Sequence, residues 1–510
     1  MVTRAAVLGI DAGTTACKAV VFATDGAILG IAHTAIPLAH GAHGEVTSDM
    51  DAAWEAVAAA TREAVSAAGE VDILAACVTG QGDGAWWVDA HGRPVGSAAL
   101  WLDARAASDV DTWRTRGWFD RMKDTTGSPP FPGSLPMLVG HAVEHEPERM
   151  GAMAWHLNCK DWIRFRMTGV IATDATDASR TYRDPRTGTY SRALLHDLGH
   201  DHMGDRLPPI RGAAEIVGEV TPHASAALGV PVGTPVVTGM MDTVAGGVGM
   251  GALDVGDTYV VLGTTAFVGT IVASADAATS DSSTLLATGT GSHILACMSP
   301  MNGIPNLTWA RDMLGWGGLS WAEVEHRAAS APRGGDGTFF MPYVATAGER
   351  APFVDPHASA GWIGARVTTT QESCMRAAYE SVAFAVAECL TLLSPPPGDL
   401  RVCGGGASSD MLCELLATIT QRTVVRVNDP EVGARGAAAL ALAGGSGMRI
   451  SEAVERMAVP TQCFSPRHDD VAFYDSARHA FATARDHVRR AWHVLAQIRD
   501  ITPSTPPNAT

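Results

Sequence analysis

Apolar and polar positions switch between two periods along this chain, and the changeovers mark its elements. Ala5 to Ile10 is almost wholly apolar and predicts a buried strand. Ala19 to Phe22 repeats the pattern, Asp25-Gly26 is a hairpin signal, and Ala27 to Ala32 makes a third strand. Asp51 to Ala68 then turns to an alanine-rich helix, and Val71 to Thr79 returns as a strand. A glycine-rich stretch opens at Gly239, after which Asp257 to Thr270 again reads strand, Gly-Thr-Thr turn, strand. From Glu372 to Ser394 the apolar residues Met375, Ala378, Tyr379, Val382, Val386, Leu390 and Leu393 fall at helical spacing, and Pro395-Pro396-Pro397 stops the helix. Leu400 to Cys403 is a strand, and a helix runs from about Asp410 to Thr420. Val424 to Val427 is a further strand and Val432 to Ala443 an alanine-rich helix. Asp475 to Arg499 predicts a terminal helix, and the polar, proline-bearing Ile501 to Thr510 a disordered tail.

A chain of 510 residues exceeds one comfortable core, so two domains are expected. The strand–turn–strand pattern occurs near the start of each half, which predicts two similarly built domains, 1–250 and 251–500, ahead of a tail at 501–510. The formal charge of −17, from 37 basic and 54 acidic residues, repels phosphate backbones and anionic lipid, so neither nucleic acid nor a membrane surface is an expected partner. The nine cysteines are scattered without a CxxC pair, which reads as reduced, cytoplasmic thiol. The apolar run after Arg4 stops at Asp11, so no secretory signal is expected. The weakly polar stretch Val230 to Leu253 carries Pro231, Pro235 and a central Asp242, and reads as a buried glycine-rich segment rather than a membrane span.

Lysine changes the picture most. Only Lys18, Lys123 and Lys160 occur, preceded by Cys17, Met122 and Cys159. No G-K-[ST] is possible, so a P-loop is excluded, and no V-A-I-K exists for a protein kinase. Four constellations remain. Asp11 with Gly13, Thr14 and Thr15 is either a decorated hairpin turn or a phosphate loop with a carboxylate for Mg²⁺. Gln81, Asp83, Trp86, Trp87, Trp101, Asp103 and Arg105 are either core tryptophans beside a glycine turn or a site for a hydroxyl-rich ligand. Asp242 is either a helix cap or a base that takes the proton of an attacking hydroxyl. Gly404-Gly405-Gly406-Ala407 opens a helix after a strand, a shape that admits a nucleotide against bare backbone.

The order of these pieces, from Leu8 to Gly444, resembles the FGGY family of carbohydrate kinases. Lys160-Asp161-Trp162-Ile163 with Thr173 to Ser179 looks like the family's KDY…TDYSDAS segment, and Met341-Pro342-Tyr343 with Gly348 to Phe353 like its PYL–GERAP segment. The resemblance implies an α/β protein of two actin-like, ribonuclease H-like ATPase domains facing across a cleft. It implies ATP and Mg²⁺, with Asp11 organising the metal. Gly13, Thr14, Thr15 and Lys18 would line the first phosphate loop, and Gly263, Thr264 and Thr265 the second. Gly404, Gly405, Gly406 and Ala407 would flank the adenosine, and Asp242 matches the catalytic base. Gln81, Asp83, Trp101, Asp103 and Asp242 fall where the family binds its sugar or polyol. Dimers are common in the family, although the sequence carries no interface signal.

Xylulokinases read GQMHG where this chain has Gly80-Gln81-Gly82-Asp83-Gly84, and glycerol kinases carry an Arg-Glu pair. Leu135-Pro136-Met137 stands where family members often carry a lysine. The GQGDG and WLDARA stretches look most like those of erythritol kinases, which implies a four-carbon polyol, with D- or L-xylulose as the alternative. A sugar sensor without turnover and an actin- or chaperone-like ATPase are the rival readings.

Overall fold

The computed structural model describes residues 4–277, 283–301 and 303–501. Two mixed sheets organise the molecule. The first holds Arg4–Ala12 (β1), Ala16–Ala23 (β2), Ile28–Ala35 (β3), Val71–Gly80 (β4), Ile216–Glu219 (β5) and Pro235–Val237 (β6), in the order β5-β6-β4-β1-β2-β3. The second holds Thr258–Leu262 (β7), Ala266–Val272 (β8), Thr284–Ala287 (β9), Ile294–Met298 (β10), Leu400–Cys403 (β11), Val424–Val427 (β12) and Thr461–Phe464 (β13), ordered β9-β10-β8-β7-β11-β12-β13.

From β3 across to β5 the pairings run antiparallel, antiparallel, parallel, parallel, antiparallel. From β10 across to β13 they run identically. The strand–turn–strand similarity read from the sequence is therefore a repeated sheet, with β1–β2 and β7–β8 as equivalent hairpins.

The helices used below are Met50–Ala68 (α1), Val110–Thr115 (α2), Leu135–His145 (α3), Cys159–Thr168 (α4), Asp242–Gly249 (α5), Gln371–Leu393 (α6), Asp410–Thr420 (α7), Val432–Ser446 (α8) and His468–Ile501 (α9). Asp49 caps α1 by accepting from Ala52 N at 2.8 Å, which satisfies one of the N–H groups a helix start leaves bare. α6 is buried on nearly every side and fills the core of the second sheet with Tyr379, Phe384 and Val386.

α8 lies in sequence between β12 and β13 of the second sheet yet packs on the first sheet. It lies backbone to backbone against β1 and α5. A Cβ on Gly9 would sit 2.1 Å from Ala434 O, one on Gly249 2.0 Å from Val432 O, and one on Gly436 1.9 Å from Ala245 O. No side chain fits at these three crossings, so glycine there is a packing requirement.

Strands β11 and β12 and helix α7 match their expected bounds, and α1, α6 and α8 differ only at their ends. The terminal helix begins at His468, two turns before the expected Asp475. Asp469 and Asp470 favour a helix N-terminus electrostatically, and Tyr474 anchors the early turn through its hydroxyl, which donates to Glu380 Oε1 at 2.8 Å. Of the expected tail, Ile501 ends α9 and 502–510 lie outside the described residues. Part of the stretch 85–207 forms a separate small core around Trp87, Trp113, Met137 and Tyr182. All nine cysteines are free thiols. Among the described residues no helix is long and apolar enough to cross a membrane.

Replacing Gly436 by Ala forces a methyl into the Ala245 carbonyl. It should lower the melting temperature by several degrees, about 1–3 kcal/mol of overpacking, despite alanine's better helix propensity. Gly398→Ala, with nothing within 4 Å of the new methyl, serves as the neutral control in the same calorimetric scan.

Candidate active site

Parallel pairing sets Asp11 at the end of β1 level with Thr79 on β4, and the β1–β2 hairpin sets it level with Lys18. The turn between those strands is Gly13-Thr14-Thr15, closed by Gly13 N donating to Ala16 O at 3.1 Å. The Asp11 carboxylate lies against the first turn of α8, where a Cβ on Gly433 would come within 2.5 Å of Asp11 Oδ2. Burial pushes Asp11 up to about 6, against the lowering pull of Lys18, with Glu431 adding repulsion.

The equivalent turn between β7 and β8 is Gly263-Thr264-Thr265, with Gly263 N on Thr265 O at 3.2 Å. Beside it, Gly404 takes a left-handed φ of 91° at the end of β11, and a Cβ there would stand 2.7 Å from Leu262 O. Gly404 and Gly405 are exposed, while Gly406 and Ala407 are buried against β7 and Ile304. The glycine run and the second hairpin thus share one edge.

Asp242 is the first residue of α5, preceded by the cap residue Met241. Its Oδ1 accepts from Thr243 N at 2.6 Å. Burial pushes Asp242 up to about 7, with repulsion from Asp11 the next cause and Asp83 a smaller one. Two buried carboxylates, Asp242 raised in part by the field of Asp11, make a donor set of hard oxygens, the chemistry that suits Mg²⁺.

Thr14, Thr265 and Asp242 line one cavity of about 660 Å³ that continues to Gln81, Asp83 and Trp101. Trp101 donates its indole N–H to Thr14 Oγ1 at 3.0 Å, joining the first hairpin to the cavity wall. Gln81 is 2% exposed and neither Oε1 nor Nε2 of its amide makes a hydrogen bond. Such a buried amide invites a partner from a ligand. Asp83 holds a left-handed φ of 61° and accepts from Arg180 Nε at 3.2 and 3.0 Å. Burial still raises its carboxyl above the usual range, despite the lowering pull of Arg180.

The sequence reading missed Arg180 and Arg350, both of which line the cavity. Arg180 Nη1 is buried without a partner, and Arg350 Nε donates to Ser299 O at 2.6 Å with the guanidinium 5.8 Å from the Trp101 ring centroid. Arg180 directly follows the Thr173–Ser179 segment, so its signal lay one residue past the motif.

Four of the expected residues lie apart from the cavity lining. Asp103 does not line the cavity. Its carboxylate is 1% exposed, pairs with Arg105 at 2.9 Å and accepts Val46 N at 2.9 Å. It fixes the loop that carries Trp101. Lys18 pairs with Glu431 at 3.2 Å and donates to Pro430 O, outside the cavity. Trp86 and Trp87 are core residues at 0% and 1% exposure.

Behind the site lies a buried charge cluster built by α4 and residues 173–179. Lys160 Nζ stands 2.6 Å from Asp161, 3.1 Å from Asp174 and 3.1 Å from Asp177, all with side chains 0% exposed. Arg164 pairs with Asp161 and donates to Thr238 O at 3.1 Å. Thr176 Oγ1 donates to Asp174 and accepts Met241 N at 2.8 Å, which pins the residue before Asp242. Three carboxylates hold Lys160 above the usual lysine range. Burial first, then Asp161 and Asp174, push Asp177 well up, outweighing Lys160. A proton on Asp177 would leave two cations facing two anions.

Two equivalent Gly-Thr-Thr hairpins from a duplicated sheet, each lending a threonine to the cavity that holds one buried carboxylate, fit a phosphotransferase of the two-domain ATPase architecture. Family models agree. The N-terminal domain of the FGGY family of carbohydrate kinases matches residues 6–249, and its C-terminal domain matches 258–444. The chain belongs to that family and is a carbohydrate kinase, a phosphotransferase with an alcohol group as acceptor and ATP as the implied donor.

It is 31% identical over 453 residues to an erythritol kinase of Brucella abortus (strain 2308), covering 85% of this chain and 86% of the relative. It is 28% identical over 468 residues to an L-xylulose/3-keto-L-gulonate kinase of Escherichia coli (strain K12), covering 90% and 92%. In fold it is similar to a gluconate kinase from Lactobacillus acidophilus, with a TM-score of 0.89 at 22% identity over 97% of this chain and 100% of that one.

Lys160→Met should leave buried carboxylates without their cation, costing about 3–5 kcal/mol. Asp177→Asn, nearly isosteric with a protonated aspartate, should cost less than about 1 kcal/mol. Melting temperatures of the two variants check this order, and equal losses would refute the protonated Asp177.

Proposed function

We propose that the chain transfers the γ-phosphoryl group of ATP to a terminal hydroxyl of a small polyol, with erythritol or a close four-carbon relative as acceptor. The observation carrying this reading is that Thr14, Thr265 and Asp242 meet in the cavity that holds Gln81 and Asp83. Asp242 accepts the proton of the attacking hydroxyl. The hydroxyl oxygen bonds to the γ-phosphorus as the bridging P–O bond breaks, and ADP leaves with that electron pair.

Gly13 to Thr15 and Gly263 to Thr265 supply backbone N–H and hydroxyl donors to the phosphates from opposite sides. Gly404 to Ala407 leave bare backbone for the adenosine. Asp11, with Asp242 beside it, would hold Mg²⁺, which neutralises phosphate charge when bound. Gln81, Asp83 and Arg180 read acceptor hydroxyls through an amide, a carboxylate and a guanidinium. Lys18 and Asp103 act one step back, on Asp11 and on the Trp101 loop.

Two domains, 1–250 and 251–500, belong to this reading, supported by the repeated sheets, with α8 as the element that crosses back. Free thiols throughout support a cytoplasmic setting. A second acceptor class, a five-carbon ketose such as L-xylulose, is favoured by the unpartnered Arg180 Nη1, which suits a carbonyl oxygen.

ADP release measured over a panel of erythritol, L-xylulose, D-xylulose, 3-keto-L-gulonate and glycerol tests the acceptor. Erythritol should give the highest kcat/KM, and a wide preference for a ketose would replace it while keeping the kinase reading. Asp242→Asn should lower kcat by about 10²–10⁴-fold with nucleotide binding retained by calorimetry. Arg180→Gln should raise the acceptor KM about tenfold or more, as expected for losing a roughly 1.5–3 kcal/mol charged hydrogen bond, and leave the nucleotide KM unchanged.

A further inference from the structure

Asp109, at the head of α2, faces two histidines on α3. Its Oδ2 lies 3.0 Å from His141 Nδ1, and the rings of His141 and His145 have centroids 4.4 Å apart. One ligand atom from each of the three lies within 4.8 Å of the others. His141 and Asp109 side chains are 15% and 21% exposed, and His145 is open to solvent, which gives an ion a route in. The adjoining charges are already matched among themselves, since Glu146 pairs with Arg105 and Arg149 at 2.8 Å each. Ser108 Oγ contacts the other oxygen of Asp109 at 3.2 Å, leaving Oδ2 for the histidines' side.

We propose that Asp109, His141 and His145 form a site for a divalent transition metal of the zinc class, separate from the nucleotide's magnesium. Histidines four residues apart present their rings on one helix face, the spacing that helical zinc sites use. Donors each about 2.1 Å from a tetrahedral ion stand about 3.4 Å apart, so the 3.0 Å between Asp109 and His141 has to open by only about 0.4 Å to admit one. Two imidazoles with one carboxylate select Zn²⁺, Co²⁺ or Ni²⁺, and Mg²⁺ prefers an all-oxygen set. Water fills the remaining positions. A bound ion ties the six-residue α2 to α3. α2 carries Val110 and Arg114 on the wall of the acceptor cavity, and the chain entering α3 carries Pro129 to Pro132 on the same wall. The site therefore clamps that wall from behind, and it stands whatever the acceptor proves to be.

The test uses the full chain freed of metal by a chelator and then titrated with Co²⁺, read by visible d–d absorption, with Zn²⁺ as competitor. One equivalent should bind saturably and be displaced by Zn²⁺, and Zn²⁺ but not Mg²⁺ should raise the melting temperature. His145→Ala alters an exposed side chain and should fold normally. It should weaken Co²⁺ binding by more than the roughly 10–100-fold lost with an outer-sphere partner, and His141→Ala should do the same. Absence of a saturable band, or His145→Ala binding Co²⁺ as the parent does, would show that Asp109 and His141 merely share a proton, and would overturn the proposal.

Discussion

The close passage of α8 over β1 and α5 is the contact on which the site depends. Three glycines remove every side chain from the crossing, so the helix comes near enough for its first turn to touch the Asp11 carboxylate. A single methyl at any of these points would push the backbones apart. The consequence is chemical as well as mechanical: Asp11 and Lys18, paired across the first hairpin, are met by Glu431 at the head of α8, about four hundred residues further along the chain. The crossing also joins the two sheets, because α8 enters from the strands of the second and rests on the first.

Behind the cavity a different force holds position. The Lys160 cluster is fully buried, and buried ions carry a desolvation cost that only good geometry repays. Its value lies in placement. Arg164 reaches the carbonyl of Thr238 and Thr176 reaches the N–H of Met241, so the cluster grips both ends of the short stretch leading into Asp242. The approach Gly239-Met240-Met241 lies outside helix and strand, has little rigidity of its own and borrows it from these charges.

Much of this was legible in the sequence where local chemistry decides. β11, α7 and β12 follow from apolar period and flanking turns, and both Gly-Thr-Thr hairpins from turn residues between apolar runs. Asp242, Gln81, Asp83 and Trp101 were found, and the cavity gathers them. The pairings of Asp103 and Lys18 were not legible, because a charged residue in a motif advertises chemistry whereas its partner is chosen by tertiary neighbours: Arg105 and the Val46 amide for one, Glu431 for the other. Residues 85–207 gave no reading of their elements, since helices of six to eleven residues such as α2 and α3 complete too few turns to print a period. The pairing of Arg180 with Asp83 and that of Asp109 with His141 were invisible for the same reason as Glu431: each depends on segments that meet only after folding.

The left-handed backbone at Asp83 limits what this position can become. Among residues with a Cβ, asparagine, aspartate and histidine enter that conformation most readily, and glycine does so freely. The histidine of the xylulokinase-type GQMHG segment belongs to the same short alphabet. Over evolutionary time the acceptor pocket can therefore be retuned here in charge and hydrogen-bond polarity, through a single codon step such as aspartate to histidine or asparagine. Branching at Cβ is closed to it. Divergence in acceptor preference along this lineage should run through a few discrete polar states at residue 83, with size discrimination left to the surrounding wall.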